Sequence, residues 1–154
     1  MADTDTAATF ARLAHEAAIR DVITRYCLAT DVGDSAAMED LFTGDCEIDL
    51  DGALKMKGVA QVRGSMESDA FKAMLPKVAH VFGPFVVHVE GDRAVATGYL
   101  TLFMSGNGIT PARQSLGRWE MVRQDGRWRI SRRIVRSIGH AELPQYSKSW
   151  NKLG

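Results

Sequence analysis

Residues 114–138, QSLGRWEMVRQDGRWRISRRIVRSI, decide the fold of this chain. Two long strand candidates, Gln114 to Gln124 and Trp128 to Ile138, flank Asp125-Gly126, a dipeptide that marks a tight antiparallel hairpin. Upstream lie two more, Val78 to Glu90 and Ala94 to Met104, separated by Gly91-Asp92, and a polar loop is expected from Ser105 to Arg113. Gly83-Pro84 interrupts the first of them, and because proline has no N–H to give a ladder, a bend or bulge is expected there. Everything after Lys77 therefore reads as sheet.

Before Lys77 the periodicity is mostly helical. From about Ala8 to Asp31, apolar positions recur every three or four residues: Phe10, Leu13, Ala17, Ile19, Ile23, Tyr26 and Cys27. Gly33 stops this helix, and Asp34 and Ser35 are suited to cap a second, Ala36 to Phe42. Cys46, Ile48 and Leu50 alternate with Glu47 and Asp49 as in a half-buried strand, and Asp51-Gly52 turns it into a short hairpin toward Lys57. A third helix is expected from Val59 to Met74, closed by Pro76. Helices followed by a meander of long strands make an α+β arrangement.

Composition narrows the function. With 154 residues, 45% hydrophobic and 25% charged, the chain is expected to be one domain, with a core over about residues 10–138 and a loosely docked extension over 139–154. Nineteen basic and nineteen acidic residues cancel, so neither nucleic acid nor an anionic membrane is an expected partner. No run approaches the ~18 apolar residues of a membrane span, and the first residues lack a signal-peptide pattern, so a cytoplasmic location is expected. Cys27 and Cys46 show no metal-ligand spacing and read as reduced core thiols, with no metal or cofactor expected.

Two polar residues stand at positions the periodicity assigns to the interior. Asp31 closes the apolar stripe of the first helix, and His80 lies in an apolar run at the start of the sheet. A carboxylate bonded to one imidazole nitrogen leaves the other free as a base with a pKa near neutrality. Tyr26 could hydrogen-bond a carbonyl or leaving oxygen, and Arg133 could stabilise developing negative charge.

The order of elements, with Tyr26-Cys27-Leu28-Ala29-Thr30-Asp31, Leu41-Phe42-Thr43-Gly44-Asp45 and Asp125-Gly126-Arg127-Trp128-Arg129-Ile130, resembles the SnoaL-like family of the nuclear transport factor 2-like superfamily. The resemblance implies a cone-shaped α+β barrel in which three N-terminal helices pack in a strongly curved, mainly antiparallel sheet around an apolar cavity. Tyr26, Asp31 and His80 stand where bile acid 7α-dehydratase and, in part, scytalone dehydratase carry site residues; hexachlorocyclohexane dehydrochlorinase matches at Asp31 and His80, and Arg133 keeps its spacing from Trp128. It implies a cofactor-independent lyase, of dehydratase or dehydrohalogenase type, or an isomerase, acting on a small hydrophobic cyclic molecule. A non-catalytic binding or accessory domain, as in ring-hydroxylating dioxygenase small subunits, and a polyketide cyclase are its alternatives. Homodimers or homotrimers are usual in such folds, and Val86, Val95, Trp119, Met121, Val122, Trp128, Ile130 and Ile134 are more apolar strand residues than one inner face needs.

The expected substrate-binding residues are Phe82, Phe85, Tyr99, Thr101, Phe103 and Trp119, with Leu102, Met66 and Met74 adding to an apolar lining. The next strand offers only Tyr99 and Thr101 where the dehydratases place a further acid or histidine. Structural readings stand beside the catalytic ones. His80 could be a satisfied core histidine, and Asp31 a helix-end residue bonding local backbone. Tyr26 lies about 140° around the helix from Asp31. Alternation places Arg133 on the strand face opposite Trp128, among arginines that suit a solvated surface.

Overall fold

The hairpin at Asp125-Gly126 joins β5 (Gly108–Gln124) to β6 (Arg127–Ser137). Both turn residues have positive φ, 51° and 78°, as a two-residue turn matched to strand twist requires. The computed structural model describes residues 2–149 and 152. Before the hairpin come α1 (Ala2–Val32), α2 (Met38–Leu41), β1 (Phe42–Leu50), β2 (Leu54–Lys57), α3 (Val59–Glu67), α4 (Asp69–Lys72), β3 (Val78–Glu90) and β4 (Arg93–Gly106); α5 (Leu143–Lys148) follows it. The six strands form one sheet in the order β2-β1-β6-β5-β4-β3, parallel only where β1 meets β6. With β2 and β3 as free edges, the curved sheet does not close.

Irregularities in the ladder set which side chains face the helices. In β3 the pairing shifts between Phe82 and Phe85, so three steps of β3 oppose two of β4. Val78, His80 and Phe82 therefore share the inner face with Phe85, Val87 and Val89, and the bulge falls at Gly83-Pro84. Opposite it, Gly98 pairs with Gly117. A Cβ at Gly98 would lie 2.5 Å from the Pro84 carbonyl oxygen and 2.7 Å from the Phe85 ring, so the close approach of the two strands depends on its missing side chain. The core forms where this inner face meets α1, around Ile19, Ile23, Tyr26, Trp119, Met121 and Ile130.

Several expectations from the sequence need correction. The third helix is broken at Ser68, whose extended backbone and hydroxyl cap begin α4. The stretch 105–113 is not a loop, because Met104, Ser105 and Gly106 pair with Thr110, Ile109 and Gly108 around a tight turn at Asn107. Phe10 and Leu13 are exposed, 68% and 47%, so the buried stripe of α1 starts further on, at Ile19. The described part of the C-terminal extension is tied to the sheet: Arg136, itself paired with Asp49, donates to Glu142 and Tyr146, and Arg118 donates to the carbonyls of Ser149 and Lys152. Val95 and Ile134 are covered within the chain, whereas Val86 is half-exposed. Cys27 and Cys46 are buried free thiols, which burial pushes up to about 12 and about 11. Among the described residues, no helix is long and apolar enough to cross a membrane.

The close approach at the bend is testable by denaturant unfolding. Gly98→Ala should lower stability by about 1–3 kcal/mol, because a backbone carbonyl stands in the way. Gly64→Ala, at an exposed position of α3 with nothing within 4 Å of the new methyl, should raise it by about 0.5–1 kcal/mol.

Candidate functional site

The way α1 ends brings Asp31 to His80. Gly33 takes a φ of 74°, its N–H reaches the Thr30 carbonyl, and the Asp34 N–H reaches that of Ala29, the double closure of a Schellman motif. A Cβ at Gly33 would lie 2.7 Å from Leu75 Cδ1, so glycine also lets the helix end abut the turn that leads into β3. Asp31 then projects from the last turn of α1, where the helix dipole disfavours a carboxylate, toward β3.

His80 answers that charge twice. Its backbone N–H donates to Asp31 Oδ2 at 2.9 Å, and its Nδ1 lies 2.6 Å from Asp31 Oδ1. With the carboxylate as acceptor, Nδ1 carries the proton and Nε2 is left with a lone pair. Burial pulls the pKa of His80 down from its ordinary 6.5, outweighing the opposite pull of Asp31. Near neutral pH the imidazole is therefore uncharged.

Arg133 and Tyr26 meet at the centre of the inner face. Alternation from Trp128 would turn Arg133 outward, but the β6 ladder slips at Ser131, where Met121 pairs with Ile130 and Glu120 with Arg132. The slip moves the parity by one, so Arg133 and Val135 join Trp128 and Ile130 inside, which corrects the expected placement. The Arg133 side chain donates from one terminal nitrogen to Tyr26 Oη at 3.0 Å. Its guanidinium carbon lies 4.9 Å from the Trp119 ring centroid, 5.0 Å from that of Tyr26 and 5.8 Å from that of Phe82. Full burial lowers the pKa of Arg133 from its ordinary value, and a guanidinium nonetheless stays protonated.

A cavity of about 580 Å³ opens beside these groups, and Tyr26, His80 and Arg133 line it. Leu102, Met66 and Met74 also line it, with Ile48, Met56 and Phe71. The last three were not singled out in the sequence; Ile48 stood in a recognised strand, but nothing showed that the first hairpin and α4 would cover the sheet. Phe82, Phe85 and Trp119 pack as an aromatic layer behind Arg133 and Tyr26 and back the cavity instead of lining it. Tyr99, Thr101 and Phe103 are placed elsewhere. His80 pairs with Leu102, so even-numbered residues of β4 share its face and these three turn outward. Tyr99 is 56% exposed and Thr101 donates to Gln114 on the outer surface. Among the described residues, no three His, Cys, Asp or Glu side chains converge as a metal would require.

Helices laid in an open, curved six-stranded sheet with a cavity between them define the nuclear transport factor 2-like class of folds. The chain matches the SnoaL-like domain over residues 11–134 and belongs to that family. Among solved structures it is similar to an NTF2-like protein with a cystatin-like fold from Novosphingobium aromaticivorans: 31% identity, TM-score 0.85, covering 92% of this chain and 94% of the other. A candidate scytalone dehydratase from the same organism shares the fold at 18% identity and TM-score 0.70, with 84% and 87% covered. So does a hexachlorocyclohexane dehydrochlorinase from Novosphingobium barchaimii, at 20% identity and TM-score 0.70, with 82% and 88% covered. None of the curated proteins compared with the chain matches it.

The Arg133 environment yields a stability prediction. Tyr26→Phe removes the hydrogen-bond acceptor of a buried cation and should cost about 2 kcal/mol or more in denaturant unfolding. Tyr146→Phe should cost less than about 0.5 kcal/mol, since Arg136 keeps Asp49 and Glu142.

Proposed function

We propose that this protein is a cofactor-independent lyase or isomerase acting on a small hydrophobic substrate, with His80 as the base and Asp31 as the residue that orients it. What supports this reading is the double grip of Asp31 on His80, which leaves Nε2 unprotonated on a residue lining a largely apolar cavity. Nε2 takes a proton from carbon, and the imidazolium formed is stabilised by the Asp31 carboxylate. In an elimination the C–H electron pair becomes the new double bond as the neighbouring hydroxyl or halide leaves. In an isomerisation the proton returns to another carbon. Tyr26 and Arg133 face the developing negative charge in a water-poor site.

With Tyr99 on the outer surface, protonation of a leaving hydroxyl falls to Tyr26 or to the imidazolium itself. The two Novosphingobium neighbours named as a dehydratase and a dehydrochlorinase have names that denote eliminations, which agrees with this chemistry at the level of the fold. The half-exposed Val81, Val86 and Tyr99 on the outer face of β3 and β4 suit a homodimer or homotrimer, and a monodisperse monomer in light scattering would contradict that assembly.

The test is a panel of hydroxylated and halogenated cyclic compounds assayed with wild type, His80→Ala and Asp31→Asn. Either substitution should lower kcat by about 10²–10⁴ on a compound that wild type turns over. Binding without turnover, unchanged by both, would identify a carrier instead. The pH profile of kcat/KM carries a sign. Activity needs neutral His80, so the rate should hold at pH 7 and fall on acidification through a pKa below 6.5. In Asp31→Asn the upward pull on that pKa is gone, so the acid limb should move to still lower pH.

A further inference from the structure

Three buried arginines hold this fold together, and two are fully accounted for. Arg136 is paired with Asp49 and Glu142, and Arg118 with Glu120 and two backbone carbonyls. Arg133 is different. It is 4% exposed, its Nε–H is buried without an acceptor, and among the described residues no carboxylate lies within ion-pair distance of it. Its recorded hydrogen-bond partner is Tyr26 Oη. A buried cation left this way is costly unless a ligand completes it, and Arg133 is the one of the three that lines the cavity.

The nearby groups do not supply the missing charge. The Asp31 carboxylate has both oxygens engaged by His80. The hydroxyls along the cavity are turned to the backbone: Thr30 donates to the Tyr26 carbonyl, Ser65 to that of Val62, and Ser68 to that of Ser65 while capping Phe71. Polar recognition is thus concentrated at Tyr26, His80 and Arg133, and the remaining walls, Leu54, Met56, Phe71 and Met74 among them, are apolar.

We propose that Arg133 is an anion-binding subsite, and that the ligand of this cavity is an amphiphile with one anionic oxygen group, a carboxylate or an ionised phenol, on an apolar ring or chain. The anionic group is an anchor, and no bond to it forms or breaks. Arg133 and His80 both pack against the Phe82 ring, 5.8 and 5.7 Å from its centroid, and both line the cavity, so a molecule held at the guanidinium shares that cavity with the imidazole. This inference rests on reading the cavity as a substrate site, but it does not depend on turnover.

The experiment is calorimetric titration at pH 8.5 with two matched pairs, 1-naphthoate against 1-naphthamide and 4-nitrophenolate against 4-nitroanisole. Wild type should bind the anion of at least one pair about tenfold or more tightly than its neutral partner, and the responding pair identifies the head group. Arg133→Met, which replaces the charge with a chain of similar length, should abolish the preference, and Arg133→Lys should keep part of it. His80→Ala should retain it even where turnover is lost, which separates failure of this proposal from failure of the base chemistry. If Arg133→Met does not fold, the wild-type comparison and Arg133→Lys still decide. No anion preference in either pair, whether both members bind equally or neither binds, overturns the proposal, as does a preference that survives Arg133→Met.

Discussion

The carboxylate of Asp31, held by two groups of His80, is the joint on which the site depends. It ties the last turn of α1 to the first residues of the sheet, 49 positions later, through the backbone and the side chain of a single residue. Each bond answers a different problem. The backbone N–H offsets a carboxylate at the unfavourable end of a helix, and the imidazole contact fixes which ring nitrogen keeps its proton. Gly33 makes the joint possible, because its φ of 74° closes the helix beside Leu75 in a conformation that a residue with a side chain rarely adopts.

Breaks in strand alternation do the rest of the positioning. At Gly83-Pro84 the bulge lets Phe85 follow Phe82 onto the inner face, and at Ser131 the slip turns Arg133 inward. Without the second, Arg133 would turn to the outer face, and Tyr26 would lose its partner. The aromatic layer of Phe82 and Trp119 then packs against the guanidinium, which still lines the cavity. Outside, Arg118 and Arg136 clamp the C-terminal extension, so the same strands that carry the site also carry the outer covering.

The parts of this arrangement that were legible in the sequence are those written in local pattern. The Asp125-Gly126 hairpin, the long strands and the α+β order follow from period and turn chemistry. Asp31 and His80 stand out because each is polar where the period demands an apolar residue. What was not legible depends on register between strands distant in sequence. The assignment of Tyr99, Thr101 and Phe103 to the cavity missed that His80 pairs with Leu102, a parity no single strand reveals. Arg133 was placed on the wrong face for the same reason, since the slip at Ser131 exists only against β5. The break of the third helix did have a local sign, Ser68 ahead of Asp69, but the apolar period of Val62, Met66 and Met74 ran across it.

The central claim is that Asp31 keeps His80 neutral, protonated on Nδ1 and open on Nε2. Nitrogen-15 NMR of the His80 side chain across pH 4–9 tests it most directly. The structure predicts a protonated Nδ1 and a bare Nε2 at pH 7, with a single titration centred below 6.5. A ring protonated on Nε2 at pH 7, or a titration centred above 6.5, would contradict it.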